Sequence, residues 1–106
     1  MNVKPGDIAI IAGLDHRSAA PYLNGRIVHV LSVAPTVDFV FPDGKAHTPA
    51  SQGCWIIRFV DGPAMLPHAS GRFSSGWCAV AHDRNLRRLH DPDDFIKIIT
   101  EKELTV

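Results

Sequence analysis

The sequence predicts a single small domain that is mostly β, built from five short strands joined by long loops. Three observations carry this expectation. The chain has 106 residues, 45% of them hydrophobic, which suffices for one continuous core and leaves no room for a second. It contains 8 Gly and 8 Pro, residues that loosen or break helices. Its apolar residues alternate over short runs bounded by turn signals, the period of a strand.

Lys4-Pro5-Gly6-Asp7 reads as a turn leading into Ile8-Ala9-Ile10-Ile11, where apolar residues occupy both faces of the expected first strand. Residues 12–25 are rich in turn formers and end in Asn24-Gly25, a signal for positive φ. They predict a long loop. Residues 26–33 form the clearest strand, with Ile27, His29, Leu31 and Val33 on one face and Val28, Val30 and Ser32 on the other. After Pro35, the alternation of Val37, Phe39 and Phe41 predicts a further strand that stops at Pro42-Asp43-Gly44, a type I or II turn signature. A polar stretch then runs to Gly53.

Trp55, Ile57 and Phe59 alternate as one face of a central strand, closed by Asp61-Gly62-Pro63. Residues 61–76 are expected to be a second long loop. Residues 77–81 supply the last substantial strand, after which Asp83-Arg84-Asn85-Leu86 predicts one helical turn entering a short final strand at Arg87-Arg88-Leu89. The domain is expected to span residues 1–90. In the acidic segment 91–106, Asp91-Pro92-Asp93-Asp94 provides a cap, a first-turn proline and negative charge at the positive end of a helix dipole. A short helix there would carry Phe95, Ile98 and Ile99 on one face.

Charge narrows the function. Lys plus Arg and Asp plus Glu both number 11, so the chain lacks the overall positive charge of a non-specific nucleic-acid binder. The balance is uneven: residues 1–90 hold 9 basic and 6 acidic side chains, net +3, and residues 91–106 hold 2 and 5, net −3. No apolar run is long enough to span a membrane, and the first residues lack a signal-peptide core. A cytoplasmic protein is expected.

The one-turn helix before a final short strand, together with five short strands and a long first loop, resembles the SH3-like barrel family over residues 4–90. Gly6-Asp7-Ile8-Ala9-Ile10-Ile11-Ala12-Gly13 followed by Asn24-Gly25-Arg26-Ile27-Val28-His29-Val30 is similar to part of a KOW motif, which implies a barrel that contacts RNA or protein. The connecting loop of a KOW motif is short and rich in Lys and Gly, whereas here it is long, with His16 and Arg17 as its basic candidates. From Lys4-Pro5-Gly6-Asp7 through Trp55 to Asp83-Arg84-Asn85-Leu86-Arg87-Arg88-Leu89, the chain also resembles small uncharacterised bacterial and prophage-associated proteins, a likeness that implies no activity. Plasmid-maintenance toxins that cut RNA share the Gly-Asp opening, but they place an Arg-Pro pair before a run of valines. Here Arg26 is followed by Ile27, so no catalytic residue carries over.

Candidate chemistry is sparse. As zinc ligands, His16, His29, His47, His68, His82 and His90 would have to combine with Cys54 and Cys78, but the spacing fits no compact site, the closest mixed pair being Cys78 with His82 on one strand. Neither cysteine opens a helix, where a thiolate would be activated. Both are expected to be buried free thiols, and no metal, cofactor or enzymatic activity is expected.

The expected function is a protein-interaction or self-association module, with Tyr22 and one of Trp55 or Trp77 as an aromatic shelf between the loops. Apolar residues on both strand faces need covering, which favours a partner. The alternative is an RNA- or DNA-contacting barrel using Arg84, Arg87 and Arg88, with Tyr22 as a stacking platform, and a toxin-type endoribonuclease ranks third. Against it, Arg87 and Arg88 are expected on opposite sides of the last strand, with Arg84 paired to Asp83 or to the acidic segment.

Overall fold

The structure is a computed structural model that describes residues 1–15, 19–67 and 71–89. The expected helix at 91–106 lies outside the described residues, as do His16, His68 and His90.

Five strands make one antiparallel sheet in the order β8-β5-β2-β1-β9, namely Cys78–His82, Cys54–Phe59, Ile27–Val33, Ile8–Ile11 and Leu86–Arg88. The sheet is open, with β8 and β9 at its edges. A 3-10 turn, Asp83–Asn85, links β8 to β9 where the sequence places a helical turn. No helix among the described residues is long and apolar enough to cross a membrane.

Strand alternation sorts the core. Ala9, Ile11, Val28, Val30, Trp55, Ile57, Phe59 and Leu86 face inward together with Val3 and Ala64. Ile11, Ile27, Val28, Val30, Ile57 and Phe59 are the largest fully buried side chains; each contributes roughly 1.5 to 3 kcal/mol through the apolar surface it removes from water.

The opposite face of β5 and β8 is apolar too, and the chain covers it itself. Between β2 and β5 it makes a small hairpin of β3, Phe39–Val40, and β4, Ala46–His47. This excursion lays Ala34 and Phe41 against Cys54, Ile56 and Cys78, with Leu31, Phe39, Ala50 and Val80 at the margin. The apolar second face is therefore no argument for a partner. The hairpin closes through the Gly44 N–H bonded to the Phe41 carbonyl at 2.8 Å and the Phe41 N–H to the Lys45 carbonyl at 2.8 Å, with Gly44 at φ 90°.

Two loop expectations change. In residues 12–25 the chain forms a single helical turn, α1, Ala20–Leu23. At the Asn24-Gly25 turn the positive φ falls on Gly25, at 83°, while Asn24 sits at φ −60° and ψ 133°; the Arg26 N–H bonds the Leu23 carbonyl at 3.0 Å, a type II turn. Residues 61–76 are not an irregular loop. They contain a hairpin of β6, Ala64–Pro67, and β7, Phe73–Gly76. Gly76 faces Ala64 across it, and a Cβ at Gly76 would lie 2.7 Å from Leu66 Cδ1.

Candidate functional site

Asp83 anchors the site. Its carboxylate accepts hydrogen bonds from the Asn2 N–H at 2.8 Å, the Val3 N–H at 3.3 Å and the Trp55 indole N–H at 3.0 Å. Burial acts to raise its pKa, but these hydrogen bonds and the nearby N-terminal amino charge outweigh it and hold the carboxyl below its ordinary value. The 3-10 turn is thereby fastened to the chain's first residues, and the side chains that follow Asp83 belong to the rest of the turn and to β9.

Those side chains frame a cleft of about 520 Å³ lined by Asn2, Ala12, Gly13, Asn85, Leu86 and the three arginines Arg84, Arg87 and Arg88. Alternation does put Arg87 and Arg88 on opposite sides of β9. Because β9 is an edge strand, residues from both of its sides border the one cleft. Arg88 Nε lies 3.5 Å from Asp7 Oδ1, and Asp7 is itself held by the Lys4 N–H at 2.9 Å. The expected pairing of Arg84 with Asp83 is not formed, since that carboxylate is occupied by Asn2, Val3 and Trp55. Among the described residues Arg84 and Arg87 have no ion-pair partner.

The back wall is rigid. The Asn85 side-chain amide donates to the Ala12 carbonyl at 3.2 Å, and the Ala12 N–H donates to the Asn85 carbonyl at 2.8 Å. Gly13, at φ 73°, adopts a backbone conformation that would strain a residue with a Cβ. Searches of family models, curated proteins and solved structures find no match to this chain. The site is therefore read from its own geometry.

The aromatic shelf of Tyr22 with Trp55 or Trp77 is not assembled. Trp55 is 3% exposed, because its alternation with Ile57 and Phe59 and its bond to Asp83 turn it into the core. Tyr22 and Trp77 remain 47% and 42% exposed but make separate contacts. The Tyr22 ring meets Phe73 edge-on at 5.4 Å, a neighbour the sequence did not suggest because β7 was expected to be loop. Trp77 lies under the Arg58 guanidinium at 5.7 Å.

Cys54, not Cys78, meets His82: they face each other across β5 and β8 with Sγ 3.3 Å from Nδ1. Burial pushes the Cys54 thiol up, opposed by a backbone hydrogen bond from Ser51 and the Arg84 charge, so the pair is the reverse of an activated nucleophile. Among the described residues no group of three or more His, Cys, Asp or Glu side chains is placed to hold a metal ion. A second recess of about 410 Å³ is lined by Asp38, Phe39, Val40, Ala46, His47 and Thr48, with no Lys or Arg; Phe39 and His47 there also contact Phe41 edge to face and each other at a tilt.

Proposed function

We propose that this chain is a non-enzymatic binding module of the SH3-like type whose edge-strand cleft holds the phosphate backbone of a nucleic acid. The strand order and the 3-10 turn entering β9 support the SH3-like reading. The observation that carries the function is the convergence of Arg84, Arg87 and Arg88 on one cleft, two of them without a carboxylate partner among the described residues. Guanidinium groups present planar, permanently charged donors suited to phosphate oxygens. A side chain already neutralised within the fold offers less, so Arg84 and Arg87 are the principal contacts. The protein-docking reading retains Tyr22 and Trp77 but loses Trp55 and the uncovered apolar face.

The test is binding of a fluorescent single-stranded oligonucleotide as a function of salt. With all three arginines engaged, affinity falls roughly 20-fold between 50 and 200 mM salt; Arg84→Ala with Arg87→Ala reduces that fall to roughly threefold. Arg58→Ala, which removes the guanidinium over Trp77, leaves it unchanged. Absence of binding at low salt, or an unaltered salt slope in the double variant, overturns the proposal.

A further inference from the structure

We infer that the ligand of this module is a single strand, with one base stacked on the Tyr22–Phe73 pair while its phosphates lie in the arginine cleft. This rests on the phosphate-binding reading above and adds to it the state of the bases. Tyr22 and Phe73 are 47% and 40% exposed, yet they pack on each other with ring centroids 5.4 Å apart at 63°. The two rings meet edge to face and together leave an aromatic surface in solvent. Arg72, the exposed residue before Phe73 in sequence, has no ion-pair partner among the described residues.

Platform and cleft belong to one loop stem. Ala12 and Gly13 line the cleft. The next residue, Leu14, is clasped to Asn24 by two hydrogen bonds of 3.0 Å, the Leu14 N–H donating to Asn24 Oδ1 and Asn24 Nδ2 donating to the Leu14 carbonyl. The Gly25 N–H is bonded to the Ile11 carbonyl at 2.8 Å. The helical turn bearing Tyr22 ends at Leu23, directly before that clasp. A strand running along the stem thus passes from guanidinium groups to an aromatic face. Bases paired in a duplex have their faces covered by neighbours and cannot use such a platform, whereas unpaired bases stack on it whatever their sequence. Among the described residues of the loop, Asp15 is the one acidic side chain, and it opposes a phosphate passing along the stem.

The experiment compares three fluorescent probes of equal length at fixed low salt: a mixed-sequence single strand, the corresponding duplex, and an abasic strand. The intact single strand is expected to bind about tenfold or more tightly than the abasic strand and more tightly than the duplex. Tyr22→Ala lowers affinity for the single strand by about 5- to 100-fold and leaves the abasic strand unchanged; Tyr22→Trp restores binding, and Asp15→Asn strengthens it for both strands. Circular dichroism confirms that the variants are folded. Equal affinity for duplex, abasic and intact strands, with Tyr22→Ala silent, overturns this inference while leaving the phosphate-binding reading standing. Failure of all three probes overturns both. If Tyr22→Ala keeps its nucleic-acid affinity but abolishes self-association in light scattering, the platform belongs to a second copy and the inference is wrong.

Discussion

Replacing Asp83 tests whether one carboxylate holds the cleft together. In Asp83→Ala, Trp55, 3% exposed, loses the acceptor 3.0 Å from its indole N–H, and a buried donor without a partner costs about 1 to 3 kcal/mol. The Asn2 contact at 2.8 Å is exposed and the Val3 contact at 3.3 Å is long, so together they add about 1 kcal/mol. A loss of about 3 kcal/mol is expected, read as a lower urea midpoint at unchanged slope by circular dichroism. Asp83→Asn keeps an acceptor for Trp55 and should lose only about 1 kcal/mol. In a Trp55→Phe background, Asp83→Ala should be about 1 to 2 kcal/mol milder, because the orphaned donor is gone. The same residue gives an acid limb. Its pKa is lowered in the fold, so its stabilisation is complete above the ordinary carboxylate range and disappears as pH falls through the lower folded value; Asp83→Asn flattens that limb. An Asp83→Ala loss below about 0.5 kcal/mol, equal in both backgrounds, would refute the anchoring role.

Two further predictions concern the covered face and the second hairpin. Burial pushes the Cys54 and Cys78 thiols above their ordinary value of 9.0, and the Asp43 charge adds to this at Cys78. Native protein should therefore react slowly with iodoacetamide at pH 8 and rapidly in urea, and its stability should decline as pH rises above 9.0; fast native alkylation would contradict this. Gly76→Ala places a methyl against Leu66 Cδ1 and should destabilise by about 1 kcal/mol, relieved by Leu66→Val. A neutral Gly76→Ala in chemical denaturation would mean that β6 and β7 are not packed as described.

The strands of the main sheet were legible because their side chains alternate against an interior, as in Trp55, Ile57 and Phe59. The turn at Asp83 was legible as well, since its residues favour a tight turn over a strand. The β6–β7 hairpin was not. Met65, Leu66 and Pro67 show no alternation, Phe73-Ser74-Ser75-Gly76 is mostly polar, and Leu66 leaves no room for a side chain at Gly76 where the two strands pair. Cys54 and His82 lie 28 residues apart, and only the register of β5 with β8 joins them. Arginine convergence was hidden for a related reason: alternation correctly separates Arg87 from Arg88, and only the edge position of β9 lets one cleft reach both. The cover over the outer face was likewise invisible, because Phe39 and Phe41 read as a sheet strand rather than as a lid on Cys54 and Ile56.

The walls of the arginine cleft come from Asn2, from Ala12 and Gly13, and from residues 84–88, so the longest loop closure in the described chain must be complete before the cleft exists. Such closures weigh on folding rate because their entropy is lost before their contacts form. The β2–β5 pairing, by contrast, joins residues nearer in sequence. A chain nicked in the middle or lacking its first residues would keep much of its strand content and still fail to bind. Ligand bound at this seam is coupled to the whole fold, raising global stability by mass action, so occupancy reports that the two distant parts of the chain have met.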